Sequence, residues 1–271
     1  MTGLVSKSGR AWIAGLVLSA AMSTAPAYAA AARPAPARGF NQHIEGVDLQ
    51  GVWNLENFIA SANPTEKKIM KTIEGEDIPF QPWSKAIYDK RLDDDRAGRG
   101  FANTPAYCLP GGMPQMMTSP WLWALFQTPG QITTIHEEMH LFRQIFLNKP
   151  HDPDPNPGYM GDSVGHWEGD TLVVDTVGRN DKTTIDMLGL PHTDALHVVE
   201  RMRRLSHEQL EIVFTVDDSK AFTRPWRFRK TYRLQDPDTH VSEYICADGQ
   251  RNQPDPVTGR PTFPGAGPER Q

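Results

Sequence analysis

Three groups of residues have types and spacings that could do chemistry. The first is His136-Glu137-Glu138-Met139-His140, a formal H-E-x-x-H. On a helix, histidines four apart share one face and can hold zinc while the glutamate activates water. Ile132, Ile135, Met139, Phe142 and Ile145 do fall at helical spacing. Against that, Ile132-Thr133-Thr134-Ile135 is β-branched throughout, and Pro129-Gly130 ahead of it reads as a turn. The segment is therefore expected as a hairpin, 132–137 returning as 141–147, and a turn between the two histidines destroys their shared face. Zinc hydrolysis through His136, Glu137 and His140 is the lesser alternative, and neither a metal nor another cofactor is expected.

The second group is His192, His197 and Glu200 with Asp175, the candidate catalytic residues. Asp175 lies in the apolar run Leu172-Val173-Val174-Asp175-Thr176-Val177. A carboxylate there should be partly buried and should need a partner, because desolvation penalises its charge. An imidazole beside it makes a general base that the acid orients and polarises. Asn180, Asp181 and Lys182 occupy the loop before His192, and loops at a barrel mouth are where binding groups gather. These three, with Arg201, Trp121 and Trp123, are the candidate ligand contacts. The competing reading is structural: Asp175 and Glu200 pair with Arg201, Arg203 or Arg229, and His192 caps a turn. The third group is Ser163 within Gly161-Asp162-Ser163-Val164-Gly165, which has G-x-S-x-G spacing. That motif works on a strand-to-helix turn, and here β structure follows it. Met113, Met116, Met117, Trp121, Trp123 and Phe126 form an apolar cluster that is either core or the wall of a ligand pocket.

Strands must position these groups, because the hydrophobic pattern alternates with period two. Leu210, Ile212, Phe214 and Val216 fall on one face; Trp226, Phe228, Tyr232 and Leu234 oppose Arg227, Arg229, Thr231 and Arg233. Residues 197–205 should join 210–216 through Ser206-His207-Glu208-Gln209, setting Arg204 across from Glu211. Residues 164–167 and 171–177 read as a hairpin around Glu168-Gly169-Asp170, and 241–246 as the last strand. One helix is expected over 83–96, from Ala86, Ile87 and Leu92. Strand following strand through short polar turns implies an all-β domain with minor α, a single antiparallel lipocalin-like barrel or a related sandwich. Gly51-Val52-Trp53 at the first strand resembles the opening of lipocalins and calycins, a resemblance that implies a tryptophan plugging the closed end of a barrel.

The chain has 271 residues and a net charge of −5. Its start reads as a signal peptide: Lys7 and Arg10 without an acid, apolar and small residues over 11–22, then Ala27-Tyr28-Ala29. A twelve-residue apolar run reaches about 18 Å, short of the ~30 Å of a bilayer core. Removing 29 of the 271 residues leaves 242 and takes away two cations, moving the charge from −5 to −7. A mildly acidic domain lacks the basic face that nucleic acid requires. The expected division is a signal peptide over 1–29, a flexible leader over 30–44, a barrel-like domain over 45–250 and a disordered tail over 251–271. No membrane span is expected, the location is periplasmic or secreted, and the oligomeric state is open. Cys108 and Cys246 are the two cysteines. In an oxidising compartment they should form a disulfide rather than stay buried thiols.

Longer motifs carry a family resemblance. Cys108-Leu109-Pro110-Gly111-Gly112-Met113-Pro114, the stretch Met160-Gly161-Asp162-Ser163-Val164-Gly165-His166-Trp167-Glu168-Gly169-Asp170-Thr171-Leu172-Val173-Val174-Asp175-Thr176, the segment Pro191-His192-Thr193-Asp194-Ala195-Leu196-His197-Val198-Val199-Glu200-Arg201 and Glu243-Tyr244-Ile245-Cys246 resemble a widespread group of secreted bacterial proteins. The match spans roughly residues 48–248 and implies export and a β-rich fold, without a reaction. The combined expectation is an exported enzyme acting on a small, partly hydrophobic molecule by metal-independent acid–base chemistry, as a lyase, isomerase or hydrolase. The alternative is a non-catalytic carrier of a small apolar ligand.

Overall fold

The computed structural model describes residues 44–56, 70–97, 104–244 and 246. The expected signal peptide, the leader up to residue 43 and the tail lie outside the described residues. Nine strands form a closed barrel in chain order: β1 (Gly51–Leu55), β2 (Trp123–Thr128), β3 (Gln131–His136), β4 (Phe142–Leu147), β5 (Asp162–Glu168), β6 (Thr171–Val177), β7 (His197–Arg204), β8 (Gln209–Asp217) and β9 (Trp226–Leu234), with β9 closing on β1. The lipocalin-like barrel is thus the observed fold, and the 132–147 hairpin is present as β3 and β4.

Three details differ from expectation. The β4–β5 pair is parallel. Parallel neighbours need a crossover of about a dozen residues or more, and the proline-rich segment 148–161 supplies it. In the β7–β8 hairpin Arg203, not Arg204, faces Glu211. The turn closes on Leu205 and Gln209, whose backbone N–H and C=O bond at 2.8 Å, so it is one residue tighter than expected. The slip moves Arg204 to the other face, where its guanidinium lies 5.3 Å from the Trp53 ring centroid. Finally, the described residues of the 241–246 stretch make no strand; Tyr244 forms a single bridge with Glu138. With β9 paired to both β8 and β1, the barrel has no free edge for another strand.

Alternation fills the barrel. Leu210, Ile212, Phe214 and Val216 of β8 are fully buried, as are Leu172 and Val174 of β6 and Val198 and Met202 of β7. Phe214 and Phe228 stack with centroids 4.6 Å apart. At one end residues 44–50 cross the barrel: Gly46 lies against the Trp167 ring, and Trp53 Nε1 donates to the Leu49 carbonyl at 3.0 Å. The opposite end receives the long connections. There α1 (Pro82–Arg96) starts on a proline and buries Ser84, Tyr88 and Leu92 along one face. Tyr88 donates to Asp186 at 3.1 Å, Ser84 to the Ala221 carbonyl, and Tyr232 to the carbonyl of Met117 in the short helix α2 (Gln115–Thr118). Most of the candidate residues gather around this capped end; Arg201, paired with Glu168 at the end of β5, lies toward the other. The Cys108–Cys246 disulfide ties the segment before α2 to the end of the described chain.

Candidate functional site

Asp175 and His197 meet on the outer wall of the barrel. Asp175 takes an outward position on β6, and His197 is the first residue of β7. His197 Nε2 lies 2.7 Å from Asp175 Oδ1, and the two side chains are 38% and 39% exposed, so water reaches the pair. The same carboxylate oxygen is 3.2 Å from His151 Nε2, while His151 Nδ1 is 2.6 Å from Asp162 Oδ2. The backbone N–H of Asp152 also donates to Asp162 at 3.2 Å. A His197–Asp175–His151–Asp162 chain thus runs across the starts of β5 and β7, the end of β6 and the crossover. Sequence reasoning missed His151 and Asp162. For Asp162 a signal existed: pairing the hairpin around Gly169 puts it opposite Val177, on the same outer face as Asp175. His151 comes from an irregular loop and left no such signal.

Glu200 faces the other way. It sits inside the barrel, fully buried, in an ion pair with Arg143 of β4. Arg143 also donates to Ser163 at 2.9 Å and to Thr176 at 2.7 Å, and those two hydroxyls are 3.1 Å apart. The structural reading of Glu200 therefore holds with a different partner. Arg201, Arg203 and Arg229 pair outside the barrel with Glu168, Asp170 and Glu211. Ser163 is a strand residue engaged with Arg143 and has no nucleophile-elbow geometry. Arg179 is buried nearby; its Nη2 donates to the Leu196 carbonyl. Burial first, then the Arg143 charge, pushes the Arg179 guanidinium down to about 10, against the opposing pull of Glu200, Asp218 and Asp175. Arg143 Nη1, Arg179 Nε and Nη1, and Glu200 Oε1 have no hydrogen-bond partner among the described residues.

His192 is a third, separate environment. Its Nδ1 lies 2.8 Å from the Thr193 carbonyl, an acceptor, so that nitrogen carries the proton and Nε2 accepts from Thr183 Oγ1 at 2.7 Å. Burial lowers the His192 pKa, partly opposed by the Thr193 carbonyl. Asn180 Oδ1 accepts from the Lys182 backbone N–H at 3.1 Å, a local turn, and Asp181 and Lys182 are exposed. Trp123 is buried with its ring edge-on to Tyr232 at 5.3 Å, and Trp121 packs on Tyr244 at 4.7 Å.

The H-E-x-x-H lies on the β3–β4 hairpin. His136 is buried inside, 2.9 Å from Thr134 Oγ1, and burial followed by the Arg143 charge pushes it down to about 3. Glu137 accepts from the Leu122 N–H at 3.0 Å. Burial raises Glu138 to about 7, against a hydrogen bond from Ser119. Met139 and His140 take left-handed backbone, φ 59° and 51°, which closes the turn. Among the described residues no group of three or more His, Cys, Asp or Glu is placed to hold a metal ion. His140 instead lines a cavity of about 580 Å³ on the outside of the barrel. Val52, Ala124, Phe126 and Ile135 form its inner wall and residues 239–243 its outer one. The apolar pocket lies on β1–β3 and the His–Asp chain on β5–β7, because period two directs Asp175 and His197 outward on a different wall.

In comparisons with protein-family models and with curated proteins, no match to the chain was found.

Proposed function

We propose that this chain is an exported enzyme that acts on a small, partly hydrophobic molecule by general acid–base chemistry at His197 and Asp175. The reading includes the resemblance to secreted bacterial proteins. It is compatible with the disulfide and with the finding that no helix among the described residues is long and apolar enough to cross a membrane. The observation that carries it is the 2.7 Å contact between His197 Nε2 and Asp175, in a pair that water still reaches.

Asp175 accepts the Nε2 proton of His197 and so leaves Nδ1 with a free lone pair. That nitrogen takes a proton from a substrate C–H, O–H or water, and Asp175 stabilises the imidazolium that forms. Return of the proton to another atom gives isomerisation, return to a leaving group gives elimination, and water as the proton donor gives hydrolysis. His151 and Asp162 fix the Asp175 carboxylate in place. His192 and Glu200, held by Thr183 and Arg143, organise the loop and the barrel end in this reading. The test is incubation of the oxidised full chain with a mixed library of small esters, ketones and hydroxy compounds in D₂O, followed by mass spectrometry. Conversion or deuterium uptake should fall by about 10²-fold or more in His197→Ala. Equal turnover in wild type and His197→Ala would remove the site. The carrier reading has one observation of its own, the outer cavity.

A further inference from the structure

The outer cavity is built from elements that the acid–base reading does not use. Its inner wall is the outward face of β1–β3. Phe126 and Ile135 stand 48% and 40% exposed there, and such large apolar side chains side by side mark a binding surface. Its outer wall, residues 239–243, is anchored at both ends. Upstream, Thr239 closes a turn on Asp236 at 2.9 Å. Downstream, Tyr244 bridges Glu138 and packs on Trp121, and Cys246 is disulfide-bonded to Cys108. The strap is thus a fixed wall and not a loose end.

Size and chemistry select the guest. A volume of about 580 Å³ falls in the range of small-molecule sites, about 300–1,000 Å³, and holds one or two rings rather than a helix. Polar residues border it from both sides: His136 and His140 from the end of β3 and the β3–β4 turn, and Thr239, His240, Ser242 and Glu243 from the strap. Imidazoles and a carboxylate offer both donors and acceptors, which suits a hydroxyl, itself a donor and an acceptor. The Glu243 charge opposes a carboxylic acid in the same place. We infer that this cavity binds a neutral hydroxylated aromatic molecule of the phenol type, its ring on Phe126 and Ile135 and its hydroxyl among His140, His240 and Glu243. The site is separate from His197 and stands whether or not the proposed acid–base activity does.

Isothermal titration of the oxidised full chain with 2-naphthol should show saturable binding at one per chain. Phe126→Asp and Ile135→Asp, both at exposed positions and checked for native circular dichroism, should each weaken it by at least tenfold. 2-Naphthoate should bind wild type at least tenfold more weakly than 2-naphthol, and Glu243→Gln should narrow that gap. His197→Ala should bind 2-naphthol as wild type does, so a failure here is distinct from a failure of the catalytic reading. The inference is overturned if 2-naphthol shows no saturation, if 2-naphthoate binds equally well, or if the wall variants bind normally. It is also overturned if the groove proves to be covered otherwise. Self-association lost in Phe126→Asp would make the occupant a second copy, and binding that appears only after removal of residues 251–271 would make it the chain's own tail.

Discussion

Removal of Glu200 tests the inside of the barrel most directly. Its carboxylate is 0% exposed and faces Arg143, whose side chain is 1% exposed, with a second buried guanidinium, Arg179, close enough to feel both charges. Glu200→Ala leaves two buried cations without a compensating anion among these three groups. Breaking a buried pair from one side costs about 3–5 kcal/mol, because the remaining charge stays desolvated. At about 2–4 °C per kcal/mol for a domain of this size, the melting temperature should fall by roughly 6–20 °C. The neighbouring residue on β7 is the control. Arg201 pairs with Glu168 at 45% and 49% exposure, and Arg201→Ala should cost no more than about 1 kcal/mol. Arg143→Met combined with Glu200→Leu should recover most of the loss, since apolar replacement of a buried pair is often neutral. Ser163 and Thr176 keep each other's hydroxyl at 3.1 Å in that variant. The assay is urea unfolding at pH 7 for the two single variants and the double, repeated at 1 M salt, which should not rescue a buried charge. A Glu200→Ala chain within about 1 kcal/mol of wild type, or a double variant no better than the single, would refute the reasoning.

Two residues of the H-E-x-x-H should give opposite pH signatures. His136 is held down to about 3 by burial and Arg143, so the stability it contributes is present above its ordinary 6.5 and is lost as pH falls from there towards 3. Wild type should lose about 2 kcal/mol between pH 7 and 5 from this group, and His136→Gln should flatten that part of the urea-midpoint profile; an unchanged slope would count against it. Glu138 is raised to about 7 from 4.5, so its contribution is present below 4.5 and is lost as pH rises through 7. Glu138→Gln should therefore exceed wild type by about 1–3 kcal/mol at pH 8, with the gap closing below pH 4.5. A gap that does not change with pH would contradict the buried-carboxyl account.

Period two made most of the barrel legible. The Leu210–Val216 alternation, the turn at Gly169 and the β-branched Ile132-Thr133-Thr134-Ile135 each dictate a strand or hairpin locally, and each is where the pattern puts it. The crossover over 148–161 was not legible, because parallel pairing of β4 and β5 is decided by how the whole sheet closes. The 241–246 segment has the right residues for a strand but no edge to join. The site divides the same way. Asp175 with His197 could be read because a carboxylate in an apolar strand demands a partner, and the next strand begins with one. Glu200 could have been placed inside from the same rule, since Val198, Glu200 and Met202 share a face. Its partner could not: Phe142 and Phe146 on one face of β4 and Ile145 and Leu147 on the other are all apolar, and hide which way Arg143 points.

The direction of each side chain also decides where chemistry can take place. Trp53, Trp123, Trp226, Phe214 and Tyr232 are buried to 2% exposure or less within the barrel core. Side chains fill the interior of a small barrel in this way, and a group pointing inward, like Glu200 or His136, is committed to its neighbours. Outward groups at strand ends keep access to solvent while the sheet fixes their spacing. Asp162, Asp175 and His197 are all of this kind, and the crossover adds His151 to hold the middle carboxylate. The same logic gives the groove its ligand face, since Phe126 and Ile135 are outward residues of β2 and β3. In this barrel the packed interior supplies rigidity, and the outer wall is where a substrate or a ligand can be met.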